Sequence, residues 1–303
     1  STNGGSTAYA PNTFTGSVTN FTDAGVGIGT NVITRATASL SGDVCGTFTA
    51  AAEVSTISES GASGCIKYIL TGTDLLANTT SSTITVKIDG SAPTVAVSAA
   101  TGANTYRDGS NIYYRSGSSG SLTLTATVDD AYPGAKSATF PAIATTGWTH
   151  NAETVTSATS TSGSVTTYTS AAFTWTASPS VPASYTVTGA DQSGNTGTAT
   201  VTFVADAAGP TGGALTVNSV DGSSVASSSY STTGTFSGTF TQYSADATSG
   251  LASSTITKES GTLSSGSCSA YTTGTAPTGG TISETSLAEG CYRYTVTGTD
   301  NVG

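Results

Sequence analysis

The chain has little positive charge, little aromatic mass and almost no imidazole: 8 Lys+Arg, 2 Trp, 1 His and no Met in 303 residues. So few cations exclude nucleic-acid binding, because neutralising phosphates requires clustered Lys and Arg. With His150 as the single histidine, a Ser-His-Asp triad has one possible base, and no serine lies in a Gly-x-Ser-x-Gly elbow. No apolar run approaches the ~20 residues of a membrane-spanning helix, and no segment reads as a signal peptide. The absence of Met fits a fragment or a processed chain. Charged residues make up 9 % of the chain, against roughly 25 % in ordinary soluble domains, so charge-paired helices find no support. Ser, Thr, Gly and Ala fill that space. β-branched Thr and Val suit strands, and the chain reads as all-β. Its formal charge of -10 suits divalent cations.

Three signatures recur in one order. Tyr68-Ile69-Leu70-Thr71-Gly72-Thr73-Asp74 returns at Tyr185 to Asp191 and at Tyr294 to Asp300. An Asp-Ala-x-x-Gly turn precedes each, at Asp23, Asp130 and Asp246. Asp89-Gly90-Ser91-Ala92-Pro93-Thr94 follows the first and Asp206-Ala207-Ala208-Gly209-Pro210-Thr211 the second. Asp74 to Pro93 aligns without gaps on Asp191 to Pro210, a shift of 117, and Asp23 to Cys45 aligns on Asp246 to Cys268, a shift of 223. Repeats of this kind define the domain organisation. The expected domains are residues 1–91 and 209–303 of one type and 92–208 of another. The first is expected to lack a leading strand and the third a final one, as if cut from a longer polymer.

Within each copy apolar residues alternate with Ser and Thr: Leu122, Leu124, Ala126 and Val128; Val201, Phe203 and Ala205; Ile84, Val86 and Ile88. Period two with Gly, Asn and Asp punctuation predicts antiparallel strands with one buried face. Several short strands in ~110 residues without a helix predict tandem immunoglobulin-like β-sandwiches. With strands lettered A to G, Leu122 to Val128 reads as B, the Tyr-x-Val-x-Gly segment as F and Thr200 to Ala205 as G.

The strand-F motif, the Asp191-x-x-Gly-Asn195 loop and the linkers at Asp89 and Asp206 resemble the bacterial immunoglobulin-like repeats of giant surface adhesins. The resemblance covers essentially the whole chain. It implies an extracellular, cell-surface or particle-surface location and a non-enzymatic stalk role, with neighbouring repeats of the same polypeptide as partners. Two alternatives stay open. One is a filament, sheath or virion appendage in which like chains pair. The other is a carbohydrate-binding module that meets a glycan or host-surface ligand.

Cys45 and Cys65 lie in the first copy and Cys268 and Cys291 at matching places in the third, while Pro182 replaces Cys65 in the second. Cysteines kept or lost as pairs argue for two disulfides within repeats and for an oxidising compartment. Parity along strand F puts Cys291 opposite Tyr294 and Val296, so the thiol should face away from the core or precede the strand.

In a sandwich of this kind the B–C and F–G loops share an end with the incoming linker. Asp89 should therefore approach Asp130 and Asp191, and Asp206 should approach Asp246 and Asp300. Converging carboxylates favour a hard cation, and oxygen-only ligands select calcium. The resembled repeats also bind calcium at domain junctions. The competing reading makes each acid a turn former. Tyr113, Tyr114, Trp148 and Trp175 all lie in the middle repeat; Trp148, in the loop-like Gly147-Trp148-Thr149-His150, is the candidate sugar-stacking residue, with core packing as its alternative. No catalytic residue is expected, since the acids recur at equivalent turns whereas a hydrolytic carboxylate pair should occur once.

Overall fold

The computed structural model describes residues 6–224 and 228–303, which form strands and turns with no helix among them. The middle region is the most complete sandwich. One sheet joins Thr94–Thr101, Gly120–Asp129, Val165–Thr169 and Phe173–Trp175. The other joins Asn111–Arg115, Thr196–Asp206, Tyr185–Asp191 and Ala135–Phe140. Alternation dictates what lies between them. Leu122, Leu124, Ala126 and Val128 point inward from strand B, and Val187, Val201 and Phe203 meet them from strands F and G. Each Leu, Val or Phe side chain among them contributes roughly 1.5–3 kcal/mol by leaving water. The fold is thus all-β, built of immunoglobulin-like sandwiches.

Two further hydrophobic clusters flank this one. Ile66, Tyr68, Val86 and Ile88 centre the first, and Phe240, Ile256 and Ile282 the last. Strand F in the first cluster is Gly64–Asp74, hydrogen-bonded to strand G, Thr79–Ile88, and to strand C, Ile28–Ala38. In the last it is Cys291–Asp300, paired with strand C, Leu251–Ser264.

The strand-F glycine is explained by close approach. A Cβ on Gly72 would meet the Phe21 ring, on Gly189 the side chains of Val128 and Val95, and on Gly298 the Tyr243 ring, each at under 3 Å. The motif repeats because each strand F is crossed there by a bulky neighbour.

The leading strands differ from the sequence expectation. Ala214–Val217 pairs antiparallel with strand B, Phe236–Thr241, as expected for the third copy. The first copy has no such partner among the described residues, yet it does have a leading strand. Ser6–Ala10 runs parallel to strand G, the place that Asn111–Arg115 takes in the middle copy. A strand on the edge of G belongs to the other sheet from one that pairs with strand B, as Ala214–Val217 does.

Both disulfides form, Cys45–Cys65 and Cys268–Cys291, each with Cα atoms 5.8 Å apart. Cys65 is fully buried although its neighbours Ile66 and Tyr68 carry the core. It lies on the outer face of strand F, where the hairpin Leu40–Ser41/Val44–Cys45 covers it. The bridge fastens that hairpin to the sheet rather than joining two sheets.

Candidate metal sites at the repeat junctions

Each junction gathers three aspartates from three separate elements. Asp89 follows strand G of the first copy, Asp130 opens the B–C turn of the middle copy and Asp191 ends its strand F. One carboxylate oxygen from each lies within 4.8 Å of the others, and the same holds for Asp206, Asp246 and Asp300. The structure therefore brings together all six acids that loop placement predicted. Asp191 is fully buried and Asp206 is 1 % exposed, so these are not solvated surface charges.

Local hydrogen bonds hold the acids in place. Asp89 Oδ1 accepts from Ser91 N at 3.0 Å and Asp130 Oδ1 from Gly134 N at 3.0 Å. Asp191 Oδ1 accepts from Gly194 N at 2.6 Å and Asn195 N at 2.9 Å. At the second junction Asp246 Oδ1 accepts from the amides of Thr248, Ser249 and Gly250, and Asp300 Oδ1 from Val302 N at 2.9 Å. Asp206 uses both oxygens, Oδ1 with Ala208 N and Oδ2 with Ser249 N, each at 3.2 Å. These are Asx-type turns, as the competing reading expects. They consume mostly Oδ1. Among the described residues no donor reaches Oδ2 of Asp130, Asp246 or Asp300, so turn formation leaves oxygens free at both sites.

The electrostatics are unfavourable as they stand. Two like charges about 4 Å apart repel by roughly 4 kcal/mol at an effective dielectric of 20. No Lys or Arg among the described residues pairs with any of the six acids. Burial pushes the Asp89 carboxyl above the ordinary aspartate range; the Ser91 amide opposes this, and Asp191 and Asp130 reinforce it. A proton or a cation would relieve the strain.

A hard divalent cation fits the donor set. All side-chain ligands are oxygens, and oxygens bound to one calcium ion at about 2.4 Å can stand no more than about 4.8 Å apart, a condition that both triads meet. The buried hydroxyls of Ser193 and Ser249, in the same loops, have no hydrogen-bond partner.

Asn195 is the residue whose role sequence reasoning missed. Its side-chain amide donates to the Asp89 carbonyl at 3.0 Å, Asp89 Oδ2 at 3.1 Å and Asp191 Oδ2 at 2.8 Å. At the second junction Asn301 donates instead to the Ser249 carbonyl at 2.7 Å. Asn195 at the end of the middle copy's F–G loop was visible in the sequence, and so was Asn301 directly after Asp300; which groups each would bind was not. Beside the second triad lies a cleft of about 440 Å³ lined in part by Arg115, Ser118, Asp206, Pro210 and Asp300.

The aromatic candidate is corrected. Trp148 is 6 % exposed, with Tyr114, Trp175 and Phe203 rings 4.9–5.2 Å from its own. Its indole N–H donates to the Ser180 carbonyl at 3.1 Å. No open face remains for a sugar, because the two-residue strand Trp148–Thr149 pairs with Phe173–Trp175 and draws the ring inward. Tyr114 is fully buried. His150 is buried too, stacked on Phe173 with ring centroids 3.7 Å apart.

No family model matches the chain, and neither does any curated protein sequence. Similar solved structures include domains A168-A170 of titin, 11 % identical over 82 % of this chain and 73 % of that one, with a TM-score of 0.35. A 1.5-MDa bacterial ice-binding adhesin is 16 % identical over 89 % and 85 % respectively, with a TM-score of 0.34. Extracellular cadherin domains of protocadherin gamma B7 match at 9 % identity over 97 % and 74 %, with a TM-score of 0.23. Likeness at this level carries no functional argument.

Proposed function

We propose that the chain is a structural, non-enzymatic stalk segment of a large extracellular bacterial surface protein, with calcium stiffening its two junctions. In this reading residues 1–91, 92–208 and 209–303 are successive domains, and each domain's linker acid completes a site on the next. The observation that carries it is the pair of aspartate triads, buried except for the half-buried Asp246, each built from a linker, a B–C loop and an F–G loop. Sandwiches joined by a few residues flex unless something couples them, and an ion held by linker and loops together would do so. The two disulfides support an oxidising location. No helix among the described residues is long and apolar enough to cross a membrane.

Calcium titration by calorimetry tests the reading. Two sites are expected per chain, with Asp130→Asn removing one and Asp246→Asn the other. Binding should also raise the melting temperature, since a ligand at a hundredfold excess over Kd stabilises the form it binds by about 2.7 kcal/mol. No heat and no thermal shift would refute it.

A further inference from the structure

The hairpin fastened by the Cys45–Cys65 bridge is held at three points. Tyr9, Lys87 and Cys65 stand side by side on three neighbouring strands. Strand parity puts all three on the outer face, because Val86 and Ile88 on either side of Lys87 are buried in the core. The hairpin lies across this row and is tied to each member. Cys45 is bonded to Cys65. Lys87 Nζ donates to the Asp43 carbonyl and to Asp43 Oδ1, both at 2.7 Å, and the Tyr9 hydroxyl donates to Asp43 Oδ1. The two-residue turn Gly42-Asp43 is thereby fixed at the end of the sheet where the linker leaves, since Lys87 stands two residues before Asp89.

The group that meets this turn comes from the next copy. Tyr132, in the B–C turn of the middle sandwich, is 51 % exposed, and its ring lies beside Gly42. A Cβ on Gly42 would stand 3.7 Å from Tyr132 Cε2 and 3.9 Å from its Cζ and hydroxyl oxygen, in ordinary van der Waals contact. The Tyr132 turn is itself anchored: Gly134 N donates to Asp130 Oδ1, and Gln192 N to the Gly134 carbonyl, each at 3.0 Å. Both halves of the contact belong to one junction. The third position of the Asp-Ala-x-x-Gly turn is Gly25 in the first copy and Thr248 in the third, and the copy that precedes the second junction has no cysteine.

We propose that Tyr132 and the disulfide-fastened hairpin form a brace across the first junction, a contact between copies that needs no cation. A short linker alone leaves two sandwiches free to twist and bend. A second contact beside the linker, between a rigid aromatic ring and a turn that are each anchored in their own sandwich, removes the twist. Bending away from that side is left to the linker and its acids. The disulfide acts as a positioning element, since without it the turn hangs on Asp43 alone.

Double electron–electron resonance on the full chain in chelator tests the inference, with nitroxides carried by unnatural residues at the exposed positions Ala51 and Thr161. Tyr132→Ala should about double the width of the distance distribution, because loss of the contact restores free motion between the sandwiches. Tyr132→Phe, which keeps the ring, should stay as narrow as the parent. Cys45→Ser with Cys65→Ser should broaden the distribution as Tyr132→Ala does, whereas Cys268→Ser with Cys291→Ser should leave it unchanged. Tyr132 is half-exposed, so its truncation spares both cores and decides the matter even where loss of the buried Cys65 unfolds the first sandwich. The parental width in Tyr132→Ala, or in a folded Cys45/Cys65 variant, would overturn the proposal. With calcium absent throughout, this outcome is independent of the calorimetric one.

Discussion

The side-chain amide of Asn195 reaches Asp89, 106 residues earlier in the chain, and donates to both its carbonyl and its carboxylate. The F–G loop of the middle sandwich is thereby tied to the linker that enters it. An amide is neutral, however, so this bond orients Asp89 and Asp191 without cancelling their charge.

That residual charge has a pH signature. The Asp89 carboxyl in the folded state lies above its ordinary range, mainly through burial. Between the unfolded and folded values the native form holds more protons, so stability falls as pH rises through that window and the penalty persists above it. Asn imitates the protonated acid. In chelator, Asp89→Asn should therefore be more stable than the parent at neutral pH and equal to it below about pH 3, where both forms of the acid are protonated. Calcium should reverse the order at neutral pH. Urea midpoints across the pH range, with and without calcium, check this. Glu59 has the opposite sign. Its hydrogen bond from Arg35 holds it below the usual carboxylate range, so its contribution is present at neutral pH and lost in acid.

Peptide mapping under non-reducing conditions should recover Cys45 joined to Cys65 and Cys268 joined to Cys291. Reduction should cost about 3 kcal/mol for each loop of this length. Because both Trp148 and Trp175 lie in the middle sandwich, which has no cysteine, unfolding followed by tryptophan fluorescence should not shift. A shift equal to the global loss would mean that the three cores unfold together.

Trp148→Ala should cost about 3–5 kcal/mol, the usual penalty for truncating a buried aromatic, read as the urea midpoint followed by Trp175 fluorescence. A loss below about 1 kcal/mol would place Trp148 at the surface after all.

Much of this was legible in the sequence because alternation and turn chemistry are local. Leu122 to Val128 could be read as a one-sided strand, and repeat-equivalent acids could be mapped to one end of a sandwich from strand order alone. The convergence of Asp206, Asp246 and Asp300 follows from that topology. What escaped was decided by contacts distant in sequence. Ser6–Ala10 has no distinctive alternation and becomes a strand because the edge of Thr79–Ile88 accepts it. Trp148 sits in loop-like sequence, and only its pairing with Trp175 determines that it faces inward. Asn195 belongs to a readable turn, but its second partner, Asp89, lies in the preceding linker.

Small-angle scattering of the intact chain, in calcium and in chelator, tests the junction account most directly. Calcium should give one extended particle with a larger maximum dimension, and chelator a shorter, more variable one. Asp191→Asn combined with Asp300→Asn should make the calcium curve resemble the chelator curve. Identical curves for the parent chain in both conditions would contradict the account and leave all six aspartates as turn residues alone.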